Sequence, residues 1–436
     1  MCKLNPLGPP PPGARSIAAD LTAAITAMIA PMVAAGCGAP RPEPGAPAER
    51  ALPLLWIRGE DAETWDMARA GLWWSISLLG GAPADEAAIT VIDADLDRVR
   101  YTLDLDAAGF SEDALDALDL AVAPLLLSDE REVFGGIDTG RLLMRTLYSP
   151  WRYYAITGAC DTLPAWSAPR LDGISARFAV TDSLLVPGDR EIALRPDPQQ
   201  FDDLAFQAAE GEGSLADGSF EAAEHEVLDL MANGQQRFAL YGRDGALIPS
   251  STASEAGQPG RCMWCHEDRM QIISAGNADL DGYLTLEQFE FQLSAAQALM
   301  DQVRAAAASP VSWSDREVHA YGERLTEHFL SPSADRLSRE WGVPEATVAA
   351  LLSSLPTHES EEYPELPPLY RRADVDAALS ALLPALSTMS ALDLAPQPPA
   401  GFTPAPVLPS ARELDPADWG ALDGAGEAWT AALCGP

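Results

Sequence analysis

Residues 262–266 read Cys-Met-Trp-Cys-His, a C-x-x-C-H pattern. Two thiols separated by two residues on one turn reach the two vinyl groups of one porphyrin edge, and the histidine beside them presents a ring nitrogen to the iron. That is the attachment sequence for c-type haem. Cys262 and Cys265 are therefore expected to form thioethers, with His266 as the proximal ligand of the haem iron. Two other chemistries draw on the same residues. A Cys262–Cys265 disulfide fits the spacing, although the βα context of a thiol oxidoreductase is missing. A zinc site would want a second Cys or His pair at ligand spacing, and the sequence has none.

The sixth position of such a haem has several candidates. Met270 falls one helical turn after His266, on the same side of the ring. Met231, Met300, His319, His328 and Met389 remain, with Met300 and His319 first among them, and an open sixth position is equally admissible. A further oxygen-rich pattern follows. Asn277, Asp279, Asp281, Tyr283, Thr285 and Gln288 stand at positions 1, 3, 5, 7, 9 and 12 of an EF-hand-like loop with Gly282 at the sharp turn. Asn277 and Gln288 replace carboxylates, so calcium binding there is expected to be weak. The competing structure is an Asx turn followed by a Thr285-x-x-Gln288 capping box. Histidines occur only at 225, 266, 319, 328 and 358, and no nucleophile elbow, phosphate loop or zincin helix is present.

The elements that must position these residues read as α+β. Residues 51–260 are expected to form a mixed α/β domain, 261–395 a helical region carrying C-x-x-C-H, and 396–436 an irregular Pro-rich tail. Helical periodicity covers 60–79, 111–127 and 138–148, and alternation over 89–106 predicts a hairpin. The aromatics Trp151, Tyr153 and Tyr154 are expected beneath a sheet rather than in a ligand pocket. Strand-like stretches at 177–186, 204–210 and 226–241, the last broken by Asn233-Gly234, predict a β-meander that delivers the chain to the cysteines. Helices are then expected over 286–308, 315–330, 334–352 and 375–386. The third of these superficially resembles a helix-turn-helix and reads as two packed helices.

The amino terminus has an apolar run from Leu21 to Gly36 that ends Val33-Ala34-Ala35-Gly36-Cys37. It resembles the signal peptide and lipobox of bacterial lipoproteins, which implies removal of residues 1–36 and lipidation of Cys37. Residues 37–50 then form a Pro-rich tether. A disordered leader on a cytosolic protein is the alternative. Beyond it no apolar run of about 18 residues follows, so no crossing of the membrane is expected. If haem is attached, Cys160 and Cys434 are left over and could pair.

The chain has 436 residues, enough for two or three domains, and a formal net charge of −37. Such a surface cannot gain from counterion release on phosphates, so nucleic acid is excluded as a partner. A basic redox protein is the better fit. Residues 226–267, with LDLMANGQQRFALYGRDGAL and GRCMWCHE, resemble a recurrent segment of uncharacterised exported bacterial proteins carrying one C-x-x-C-H. The strand, Asp-Gly turn, strand and haem motif also resemble β-rich cytochromes that oxidise small nitrogen compounds on a lysine-linked haem. Lys3 is the only lysine here, so that linkage does not carry over.

These features imply a periplasm-facing or surface lipoprotein of the bacterial cell envelope with one covalent haem c, acting in electron transfer. A monohaem enzyme with an open iron is the alternative, as is a non-redox anchored binding protein with a structural Cys pair.

Overall fold

The computed structural model describes residues 50–382, apart from 85, 128–130, 132–133, 174, 183–187, 201–202, 250–268, 271–275, 278, 308 and 361–362. Strand β1 (Ala51–Ile57) is an apolar run with no polar alternation, the pattern of a strand covered on both faces, and Leu54, Leu55 and Trp56 are buried. The helix α1 (Trp65–Leu78) follows, opened by the Thr64 hydroxyl accepting from the Met67 amide. The expected hairpin is β2 (Ile89–Ala94) and β3 (Arg98–Asp104), with Asp95 Oδ1 accepting from the Asp97 and Arg98 amides in the turn. Next come α2 (Glu112–Leu126), capped by Ser111, and the short β4 (Ile137–Asp138). Three helices follow: α3 (Thr139–Thr146), α4 (Pro150–Thr157) and α5 (Leu163–Leu171). The first sheet runs β2-β3-β1-β4, with β3 antiparallel and β4 parallel to β1.

The meander is formed by β5 (Ala176–Asp182), β6 (Arg190–Leu194), β7 (Ala205–Glu212), β8 (Glu221–Leu230) and β9 (Gln236–Gly242), and β10 (Gly276–Asn277) pairs with β5. All six strands are antiparallel, in the order β10-β5-β6-β7-β8-β9. The Asn233-Gly234 turn joins β8 to β9, with Gly234 at φ 81°, a conformation open to glycine. Asn233 Nδ2 donates to the carbonyls of Ser77 and Gly81, which pins this turn to the end of α1. The free edge of β9 is not open: the buried Tyr153 and Tyr154 hydroxyls accept from the amides of Phe238 and Leu240.

Helix α6 (Leu286–Ala307) covers one face of this sheet, where Phe289 stacks on Phe178 with ring centroids 4.1 Å apart. The chain ends its described part in α7 (Arg316–Leu330), α8 (Ala334–Trp341), α9 (Glu345–Leu351) and α10 (Arg372–Leu382). As expected, 334–352 is two helices, separated at Gly342 in the left-handed region. Helix α7 crosses α1 at two glycines, and a Cβ on Gly71 would lie 2.6 Å from the Gly322 nitrogen. Buried ion pairs tie the later helices to the first sheet and to one another. Arg336 binds Asp138, the cap of α3, and Arg372 forks onto Glu340 at 2.7 and 2.8 Å. Burial alone would raise the Glu340 carboxyl, but Arg372, Arg336 and Arg98 hold it down at about 2.

Candidate functional site

Cys37, Cys262, Cys265 and His266 lie outside the described residues, as do Met389 and Cys434. The chain on either side of the C-x-x-C-H segment is described. Before it, the Ile248 amide donates to the Leu240 carbonyl at 3.0 Å, and the Ile248 carbonyl accepts from Tyr154 at 3.0 Å. After it, the Arg269 carbonyl accepts from Gln236 Nε2 at 3.3 Å, and the Met270 amide donates to Gln297 Oε1 at 2.9 Å. The same Gln236 amide lies 3.8 Å from the Met300 sulfur. Three residues after His266 the chain is thus fixed to a group that also touches a fully buried thioether.

The other candidates for an iron ligand have different surroundings. Met231 is buried at the β8–β9 turn, near Gly80. The His319 ring stacks on Trp74 at 3.5 Å, and its Nε2 is committed to the Ser312 carbonyl at 3.1 Å. Burial, with a smaller push from Arg304, lowers its proton affinity to about 4. His328 is buried against Gly59, where a Cβ would run into its ring, and its Nε2 is 3.9 Å from Glu63 Oε2. Burial first, then Arg336, Arg324 and Arg339, push this imidazole down to about 3. Glu63 is itself held by Trp56 Nε1 at 3.1 Å and the Gly59 amide at 2.5 Å, while burial raises its carboxyl.

In the EF-hand-like loop, Asp279 and Asp281 are exposed and Gly282 makes the sharp turn. The Tyr283 hydroxyl donates to Glu191 at 2.6 Å. Thr285 and Gln288 form the capping box: the Thr285 amide donates to Gln288 Oε1 at 2.9 Å, and the Gln288 amide to Thr285 Oγ1 at 3.3 Å. Asn277 contributes its backbone to β10. Among the described residues no group of three or more His, Cys, Asp and Glu is placed to hold a metal ion.

One feature was not foreseen from the sequence. Gln235 and Gln236 are fully buried, where the turn dipeptide draws attention away from the polar pair after it. Cys160, for which a disulfide was among the expectations, is disulfide-bonded, with its carbonyl accepting from the Tyr241 hydroxyl at 2.8 Å; Cys434, its expected partner, lies outside the described residues. No helix among the described residues is long and apolar enough to cross a membrane. Compared with known proteins, the chain matches no family model, no curated protein and no solved structure.

Proposed function

We propose that this chain is an exported lipoprotein of the bacterial cell envelope, anchored through Cys37, that carries one covalent haem c and transfers electrons. The sequence Cys262-x-x-Cys265-His266 carries the reading, because it joins two thioether-forming thiols to an iron ligand. The haem, when bound, supplies a one-electron couple at its iron. The described surroundings suit such a group. The Gln236 amide holds the chain at Arg269, three residues past the motif in sequence, and lies 3.8 Å from the buried Met300 sulfur. Electrostatics favour a basic redox partner, since the net charge is −37.

A pyridine haemochrome spectrum of protein made with the cytochrome c maturation machinery tests this. One covalent haem per chain is expected, lost when Cys262 and Cys265 are both replaced by alanine. Protein that matures without covalent haem contradicts the reading.

A second reading, the anchored binding protein with structural cysteines, draws on the disulfide at Cys160. Two thioethers consume Cys262 and Cys265. A disulfide map that links Cys160 to either of them therefore favours the second reading over the first.

A further inference from the structure

We propose that Glu210 carries a proton where it faces Glu224, and that the two form a pH-operated latch at the bulged end of the six-stranded sheet, independently of any haem. Glu210 on β7 stands directly opposite Glu224 on β8, and both are buried, with exposures of 0% and 2%. Directly opposed side chains on one sheet face have their Cβ atoms about 4.5–5.5 Å apart, and like charges there repel. On the other side of Glu210 stands Arg190 of β6, whose Nη2 is 3.0 Å from Glu210 Oε1 and which also binds the Glu226 carboxylate. The guanidinium is divided between Glu210 and Glu226, while Glu224 faces Glu210 from the other side. A proton on Glu210 removes the Glu210–Glu224 repulsion.

The neighbouring elements keep this place dry. Along the same face β5 brings Val180 opposite Arg190, and β9 brings Gly242 opposite Glu224 and Leu240 opposite Glu226. Further along, α6 brings Phe289. The reverse face has His225, which meets Gln207 Nε2 at 3.2 Å, and Glu191, which binds Arg177 and Tyr283. Asp189, next to Arg190, accepts from the Leu215 amide at 2.6 Å.

The pair sits at a β-bulge. Glu210 pairs with Glu224 but Gly211 pairs with Ala222, leaving Ala223 as the extra residue. A Cβ on Gly211 would lie 1.9 Å from the Glu221 carbonyl, so the two backbones touch there. The ladder is interrupted beside the two acids, and this is where β7 and β8 part when the proton leaves. Burial first, then Glu226 and Glu224, keep the Glu210 carboxyl protonated up to about 8 against the pull of Arg190. The unfolded chain releases this proton near 4.5. The stabilisation it provides is therefore present at low pH and is lost as the pH rises from about 4.5 through about 8.

Infrared titration of the whole chain reads the proton directly. A protonated-carboxyl stretch is expected at pH 7, disappearing as the pH passes about 8 and missing in Glu210→Gln. Hydrogen exchange of the β7 and β8 amides, corrected for intrinsic rate, is expected to accelerate over the same range in the parent chain and to stay level in the variant. If Glu210→Gln does not fold, Glu224→Gln serves, because without the facing carboxylate the Glu210 proton leaves, and the band disappears, at a lower pH than in the parent chain. A parent chain without the band at pH 7, or a band unchanged by both substitutions, overturns the proton on Glu210. Exchange that ignores the titration overturns the latch.

Discussion

Behind Gly59 the His328 imidazole is buried among Arg324, Arg336 and Arg339, and its proton affinity falls to about 3 from an ordinary 6.5. Protons bind the unfolded chain first, so this residue's contribution to stability is lost as the pH falls from about 6.5 toward about 3. By pH 5 the loss is about 2 kcal/mol. In His328→Gln the melting temperature should fall less between pH 7 and pH 5 than in the parent chain. His319, pushed the same way to about 4, keeps part of the dependence in the variant. Equal falls in the two proteins would show that His328 does not titrate in this way. At the EF-hand-like loop Gln288 and Thr285 are committed to each other across the first turn of α6. Calorimetric titration at millimolar calcium is accordingly expected to show no saturable heat, and a saturable isotherm would restore the calcium site.

At the scale of elements, the crossing of α1 and α7 depends on Gly71 and Gly322. Replacing glycine with alanine inside an exposed helix stabilises it by about 1 kcal/mol. At Gly71 the added Cβ meets the backbone of Tyr321 and Gly322, at 2.7 and 2.6 Å, so Gly71→Ala should destabilise instead, by about 1–3 kcal/mol. Chemical denaturation gives the sign, and a stabilised variant would contradict the close crossing. Neither glycine announces this in the sequence, because the partner helix is some 250 positions away. Local patterns were legible: the 89–106 hairpin, the Asn233-Gly234 turn and the helices of 286–308 and 315–330 lie where the spacing places them. Other elements were not. Strand β1 has no alternation, being buried on both faces; β6 is only five residues long; and α5 contains Pro164 and Pro169, which read as breakers. Polar residues mislead for a related reason. Glu210, Glu224 and Gln236 are polar residues that only the long-range packing shows to be buried.

Across the whole molecule, the later helices are joined to the first sheet by paired charges as well as apolar contacts. Asp138 serves twice, with Oδ1 accepting from the Gly140 amide at 2.8 Å and Oδ2 binding Arg336. Asp138→Asn keeps the cap acceptor and leaves the buried guanidinium of Arg336 poorly balanced. It should cost about 3–5 kcal/mol in denaturant unfolding, whereas a loss below about 1 kcal/mol, as for a surface pair, would mean the network does little for stability. The anchor is tested at the same scale. Cys37→Ser should release the protein from the membrane fraction, and a variant that stays membrane-bound would contradict lipidation. The proposed site chemistry rests on residue types and spacing in Cys262, Cys265 and His266. The contacts of Gln236 with Arg269 and Met300 were not legible, because they arise from α6 lying against the β8–β9 hairpin. Peptide mass mapping of the mature protein across residues 262–266 tests the central proposal most directly. The expected result is one haem mass on a peptide in which Cys262 and Cys265 are both thioether-linked; a haem-free peptide disulfide-linked to Cys160 would contradict it.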